Sequence, residues 1–499
     1  MMEALRQPII LGSVFIYMVM CVGVGLWAMR RTHSAADFFV AGRSLGPLVV
    51  GLAVFSSTLS GFGFVGGPGL VYAMGMSSVW MAMVSGLGYA ICFFLLAKRI
   101  RIIAEIRDTV SLPDIVAARY NSEWTRGLMA VVILLGVMGY LATQILAMAT
   151  VLQSILIDSP WFANIDLITC AVIASSVLIF YSVTGGIVAS VYTDLVQGLI
   201  MMVAGVLVVI TAVNVFDGGF TEPSTTILRD DPEAIMPFGT IGIFGALAWF
   251  FMFGVGIAGQ PHLITKLMMN RKVRDNRVIL PLSIGGYAMA ALLWVSIGVT
   301  MRALVVGGDA APLIGADAAA PTFLAEYAHP LLAGVVFAGL FAAIMSTADA
   351  FLNVGAAAVI HDLPQAIRGR SLEKELFWAR AATVGIAVVA TLFALYAHFV
   401  SGRLVALLGA FGWGTFAAAI VPVVAIGLNW KRATARAAII AITLSIAVNF
   451  GIELFSIAVP LAMAGGFIAL LVSTIAFIGI SYLSPAPALA PEIDRAMEI

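Results

Sequence analysis

The stretch "FAAIMSTADAFLNVGAAAVIHD", residues 341–362, is apolar enough to lie within a bilayer, yet Ser346, Thr347 and Asp349 stand in its middle. A carboxylate at mid-membrane costs about 2.5–3.5 kcal/mol on insertion scales, so such residues mark ion or substrate sites or tightly hydrogen-bonded clusters. Ser346 and Asp349 are three residues apart and share one face of a helix. The oxygens of Ser346, Thr347 and Asp349 are hard ligands, suited to an alkali or alkaline-earth cation rather than a soft metal. The other reading is a protonated, hydrogen-bonded cluster that only glues helices together.

The rest of the chain sets this stretch in context. Of 499 residues, 62% are hydrophobic and 10% charged, against about a quarter charged in soluble domains. The fold class is therefore all-α polytopic membrane protein. Lys plus Arg and Asp plus Glu are equal at 26 each, so nothing basic points to a nucleic-acid partner. Cys21, Cys92 and Cys170 are scattered in apolar runs and spell neither a disulfide framework nor a zinc site.

Windows of about 20 apolar residues give about 13 transmembrane helices: 8–29, 47–73, 75–98, 124–157, 162–182, 186–214, 239–262, 276–305, 331–359, 376–398, 402–428, 433–452 and 459–483. The first reads as a retained helix, since it lacks a basic leader and a small-residue cleavage site. With the N-terminus outside and the C-terminus cytoplasmic, 22 of the 26 Lys and Arg, Lys266 among them, fall in cytoplasmic segments, as the positive-inside rule requires. The longest outer segment, 215–238, is acidic and reads as a solvated connection or a lid.

Two spans are interrupted. "SSTLSGFGFVGGPG" (56–69) and "FGVGIAGQPH" (253–262) place glycines and a proline inside apolar runs, and irregular backbone at that depth survives only beside protein or a water-lined cavity. Five spans separate their starts, so they begin in opposite orientations. Paired interruptions of this kind mark the binding site of an inverted-repeat transporter; the alternative is glycine-mediated helix packing. Gly61, Gly63 and Gly66 spell GxGxxG, but no strand precedes them and no dinucleotide loop is implied. Asp194 is the second acid well inside a span, ~12 Å from the start of its helix near residue 186, while Asp349 lies ~18 Å from residue 361. The two can meet, and no Lys or Arg is expected at that depth to pair with them.

These motifs accumulate into a resemblance. "ADFFVAGRSLGP" (36–47), "YSVTGGIVASVYTDLVQG" (181–198), "GQPH" (259–262) and "AAIMSTADAFL" (342–352), in this order, resemble the sodium:solute symporter family over most of the chain. "GGPGLVYAMG" (66–75) and Tyr140 bring it nearest the proline and pantothenate branches. The resemblance implies a leucine-transporter-type five-plus-five inverted repeat. Its implied divisions are an extra helix and loop (1–46), a first repeat (47–214), an external loop (215–238), a second repeat (239–428), and two C-terminal helices with a short tail (429–499). It also implies a shared sodium site from Ser56 and Leu59 carbonyls with Ala343, Ser346 and Thr347. A second cation or proton site maps onto Asp194, Ser346 and Asp349, with Ala350 where other members carry a hydroxyl. The substrate residues it implies are Ser57, Thr58, Tyr140, Gln144, Phe253 and Ile257; Tyr140 and Gln144, one turn apart, also suit interhelical glue.

The expected function is therefore sodium-coupled import of a small organic solute, an amino acid such as proline or a small monocarboxylate, by alternating access. The expected location is a bacterial inner (plasma) membrane. The alternatives are a proton-coupled transporter using Asp194 and Asp349, and a channel. No enzyme is expected, since no nucleophile–base or metal constellation stands out.

Overall fold

In hydrocarbon only helices and closed barrels satisfy every backbone group within the segment, and these apolar runs are helical. The computed structural model describes residues 6–498 apart from 31, 157–161, 163, 217–218, 371, 402–404 and 460–462. Among the described residues the sole extended pairing is an isolated bridge between Leu45 and Asn270.

The chain opens with α1 (Arg6–Met29), the short α2 (Ala35–Val40) and α3 (Pro47–Ser56), followed after a break by α4 (Gly67–Met74) and α5 (Trp80–Cys92). Helices α6 (Lys98–Ile106) and α7 (Leu112–Tyr120) lead into α8 (Glu123–Leu156) and α9 (Leu167–Val215). The connection after α9 holds α10 (Thr221–Asp230) and α11 (Pro232–Ile235), and the second broken span is α12 (Gly242–Trp249) with α13 (Pro261–Met269). Next come α14 (Asn276–Gly307), α15 (Ala319–Glu326), α16 (Pro330–Ala357) and α17 (Leu363–Arg368). The chain ends with α18 (Glu375–Tyr396), α19 (Val405–Ile420), α20 (Ala435–Leu454), α21 (Gly465–Leu483) and α22 (Pro491–Glu498).

Eleven described segments are long and apolar enough to cross a membrane, and Pro47–Ser56 and Leu167–Phe180 are shorter apolar helices. The helix α16, bearing the opening stretch, is buried along most of its length and packs on α1, α8, α9 and α18. It is the central post of the molecule.

The long α9 is two spans joined at Gly186, where φ is +54° and ψ −157°. Only glycine holds that conformation without strain of about 1–3 kcal/mol, and a Cβ there would stand 2.6 Å from the Phe38 ring. Gly186→Ala is thus expected to lower the unfolding temperature of the purified protein clearly; an unchanged melting curve would contradict the kink.

The connection after α9 keeps much of its surface exposed but is anchored at its far end. Trp80 Nε1 donates to the Pro237 carbonyl at 2.7 Å and its ring stacks on Phe238. Thr240 donates to the Met74 carbonyl at 2.8 Å. Arg302 pairs with Asp231 at 2.8 Å. At the opposite end, Lys431 holds α22 through Asp494 and Glu498 at 2.6 and 2.8 Å, and those hydrogen bonds raise the Lys431 pKa above its ordinary value.

Candidate cation and solute site

The first break lies between α3 and the π-turn at 62–66, where residues 57–60 leave the regular helix. Ser57 and Thr58 turn their hydroxyls back on α3, donating to Ala53 O and Val54 O at 2.9 Å each. Tyr140 and Gln144 reach the break from successive turns of α8. Ser60 Oγ and Tyr140 Oη share a 3.1 Å hydrogen bond, and the Gly61 N–H donates to Gln144 Oε1 at 2.8 Å. A Cβ on Gly61 would stand 2.6 Å from Ala147, so glycine is what lets the unwound backbone approach α8. Tyr140 and Gln144 thus join α8 to the first break.

From the other side α16 presents Ser346 and Thr347. Thr347 Oγ1 is 2.9 Å from the Ser57 carbonyl and 3.2 Å from Ala343 O, and Ser346 Oγ is 3.0 Å from Ala343 O. The five residues expected around a shared sodium ion, Ser56, Leu59, Ala343, Ser346 and Thr347, thus sit on one helix end and one helix face that touch, and all five are buried. Carbonyls and hydroxyls are hard donors that fit an alkali cation.

One expectation is overturned here. A basic group does reach the buried acids: Lys266 Nζ lies 2.8 Å from Asp194 Oδ2 and 2.9 Å from Ala53 O. The sequence places Lys266 in a cytoplasmic loop because the apolar window closes at residue 262, but α13 runs on to Met269. Lys266 is only 1% exposed. Its ammonium caps the last carbonyls of α3, the negative end of that helix dipole, while pairing with the carboxylate of α9. Asp194 also lies against Ser346.

Asp349 lies one turn further along α16, within electrostatic reach of Ser182, Ser190, Asp194 and Lys266. Asp349 Oδ2, Asp194 Oδ1 and the hydroxyls of Ser182 and Ser190 are buried without a hydrogen-bond partner. The two serines are absent from the sequence-based site, although both lie in the "YSVTGGIVASVYTD" stretch that carries the resemblance.

The second break runs through a π-turn at 250–254 and a 3-10 turn at 255–259. Trp413 Nε1 satisfies the Met252 carbonyl at 3.0 Å, and Gln260 Nε2 satisfies Gly256 O at 3.0 Å. Rings chain across the centre: Phe253 to Trp413 at 6.0 Å, Trp413 to Tyr140 at 6.2 Å, Tyr140 to Phe351 at 4.6 Å, and Phe351 to His262 at 4.4 Å. Phe253 and Ile257 are buried as well. Both His262 nitrogens and Gln260 Oε1 are buried without a partner. Sequence reasoning quotes "GQPH" as a motif but misses these side chains and Trp413, because only the folded break brings Gln260 and Trp413 together and His262 against Phe351.

A statistical description of the sodium:solute symporter family matches residues 38–445. The chain belongs to the sodium:solute symporter family. This symporter is 30% identical over 434 residues to the osmoregulated proline transporter OpuE of Bacillus subtilis, covering 85% of this chain and 84% of that one. It is 28% identical over 488 residues to the high-affinity proline transporter PutP of Bacillus subtilis, covering 94% and 98%. Among solved structures, a Na+-coupled sialic acid symporter in a substrate-bound outward-open state aligns with a TM-score of 0.76 at 20% identity over 97% of this chain and 99% of that one. A nucleobase-cation-symport-1 family transporter in a closed conformation aligns at 0.58 with 17% identity, over 94% and 99%. The fold is the leucine-transporter-type inverted repeat, and the expected class, sodium-coupled solute symport across a membrane, holds.

Proposed function

We propose that this symporter imports proline or a closely similar small zwitterion, with sodium bound at Ser56, Leu59, Ala343, Ser346 and Thr347. The observation that carries the reading is the meeting of Thr347 with the Ser57 carbonyl, where a cation would tie α16 to the first helix break. Sodium drives transport only if it binds the outward-facing form more tightly than the inward one, and a site shared between two such elements supplies that difference. The proline transporters among the relatives support the solute class.

The solute centre is the aromatic chain of Tyr140, Phe253 and Trp413 with Ile257, whose apolar walls suit a pyrrolidine ring. His262 and Gln260 supply polar atoms that the protein itself leaves unused, beside Ser57, Thr58 and Gln144 at the first break. No Lys or Arg is hydrogen-bonded to these groups among the described residues, which favours a zwitterion over a dianion. The N-terminus faces outward and the C-terminus the cytoplasm, in accord with the basic segments.

Charge arithmetic supports a second ion. Lys266 neutralises one of the two buried acids, so Asp194 and Asp349 together retain one excess negative charge. Asp349, Asp194, Ser182, Ser190 and Ser346 offer oxygens for one further sodium ion; a proton on Asp349 is the competing occupant. The test is uptake of labelled proline into proteoliposomes under imposed gradients. An inward sodium gradient is expected to raise initial uptake at least tenfold, with two sodium ions per solute falling to one in Asp349→Asn. Equal uptake with and without the gradient would overturn sodium coupling, and loss of uptake to a protonophore alone would assign the second site to a proton.

A further inference from the structure

A second group of ionisable side chains lies away from both breaks, at the face expected to be cytoplasmic. The π-turn 358–362 that ends α16 swings His361 and Asp362 towards α7. His361 Nε2 stands 3.1 and 3.3 Å from the two oxygens of Asp114, and His361 Nδ1 stands 2.8 Å from Glu375 Oε1. The Ser111 hydroxyl donates to Asp362 Oδ1 at 2.5 Å. Arg126 bonds both Asp114 and Glu123.

We propose that Asp114, His361 and Asp362 form a binding site for one divalent transition-metal ion of the zinc type, which fastens α7 to the end of α16. One donor atom from each residue lies within 4.8 Å of the other two. Donor atoms around a tetrahedral zinc ion stand roughly 3.4 Å apart at bond lengths of about 2.1 Å. The His361–Asp114 edge already has that length, and a side-chain rotation of Asp362 closes the third corner.

Four further observations point to a cation. Glu375 on the far nitrogen of His361 is the arrangement that metal-bound histidines adopt, with the free N–H donating to a carboxylate. Asp362 is fully buried, yet its Oδ2 has no partner, and a buried oxygen without one is costly. Four carboxyl groups, of Asp114, Glu123, Asp362 and Glu375, also gather near one arginine, Arg126, which pairs with Asp114 and Glu123. A void of about 10 Å³ lined in part by Ser111, Thr265, Asn353 and Asp362 adjoins the cluster, about the size of one water or ion.

The donor set narrows the ion. One imidazole with carboxylates and a nearby hydroxyl suits zinc, cobalt, nickel or manganese, whereas calcium needs six or more oxygens and soft Cu(I) needs sulfur. The site stands independently of the sodium and solute assignments.

The test uses full-length, tag-free protein stripped with a chelator. Co2+ is followed by visible absorption, and Zn2+ by calorimetry in two buffers of different protonation enthalpy. Expected are one ion per chain and affinity at least 100-fold weaker in His361→Ala and about 10-fold weaker in Glu375→Gln, with Asp194→Asn unchanged. No cobalt band, or equal affinity in wild type and His361→Ala, would overturn the proposal and leave a histidinium held between carboxylates. Should His361→Ala fail to fold, the wild-type titration and Asp362→Asn decide by the same readouts.

Discussion

Lys266→Met is expected to abolish uptake and to destabilise the protein by about 3–5 kcal/mol, the range for breaking one side of a buried ion pair. The variant leaves the Asp194 carboxyl buried without its counter-charge and takes the ammonium from the Ala53 carbonyl, which keeps Ser57 as a donor. Either the fold pays that cost or an external cation enters in place of the ammonium. Asp194→Asn alone is expected to cost less, because the ammonium keeps Ala53. The double variant Lys266→Met/Asp194→Asn should recover much of the stability, since exchanging a buried pair for neutral groups is often near neutral. Thermal unfolding of the four proteins closes a double-mutant cycle, and a coupling near zero would show that the pair is not formed. Sodium binding measured on the same set separates a structural cap from a group that tunes the adjacent ion site.

Thr347→Val is expected to shift the sodium dependence of uptake to at least tenfold higher concentration, a loss of about 1.4 kcal/mol or more. Valine keeps the shape of threonine but removes the oxygen that contacts Ser57 O and Ala343 O. Thr347→Ser keeps the oxygen and should stay within a few-fold of wild type. Ser346→Ala should cost more than either if Ser346 serves both ion sites, because it faces Ala343 on one side and Asp194 on the other. Unaltered sodium dependence in Thr347→Val would remove this residue from the site. The solute KM measured at saturating sodium should move little, which separates a lost ion ligand from a general packing defect.

Much of this architecture was legible in the chain because the bilayer removes choices. Runs of about 20 apolar residues can only be helices there, and glycine with proline inside two of them marks the breaks at 57–60 and 250–259. Ser346, Thr347 and Asp349 stood out for the same reason, as polar groups in an apolar setting. Lys266 did not, because a basic residue just past an apolar window looks the same whether the helix ends or continues. Only the packing of α13 against α3 shows that the ammonium is inside. Ser182 and Ser190 were equally silent, since serine is common in membrane helices and becomes informative only beside Asp349. His262 and Trp413 belong to segments far apart in sequence, and no periodicity within either segment shows that their rings join one chain through Phe351 and Tyr140.

The contacts of the 237–240 segment set a threshold on any motion that parts it from the first repeat. Moving this segment away from Met74 at the end of α4 and Trp80 at the start of α5 gives up the Thr240–Met74 and Trp80–Pro237 hydrogen bonds, together about 2 kcal/mol at roughly 1 kcal/mol each. That is close to a thirtyfold bias against the opened arrangement before any ion has bound. Sodium must exceed this bias through its preference for the outward form. Loosening these contacts is therefore expected to lower the sodium concentration at which the transporter cycles.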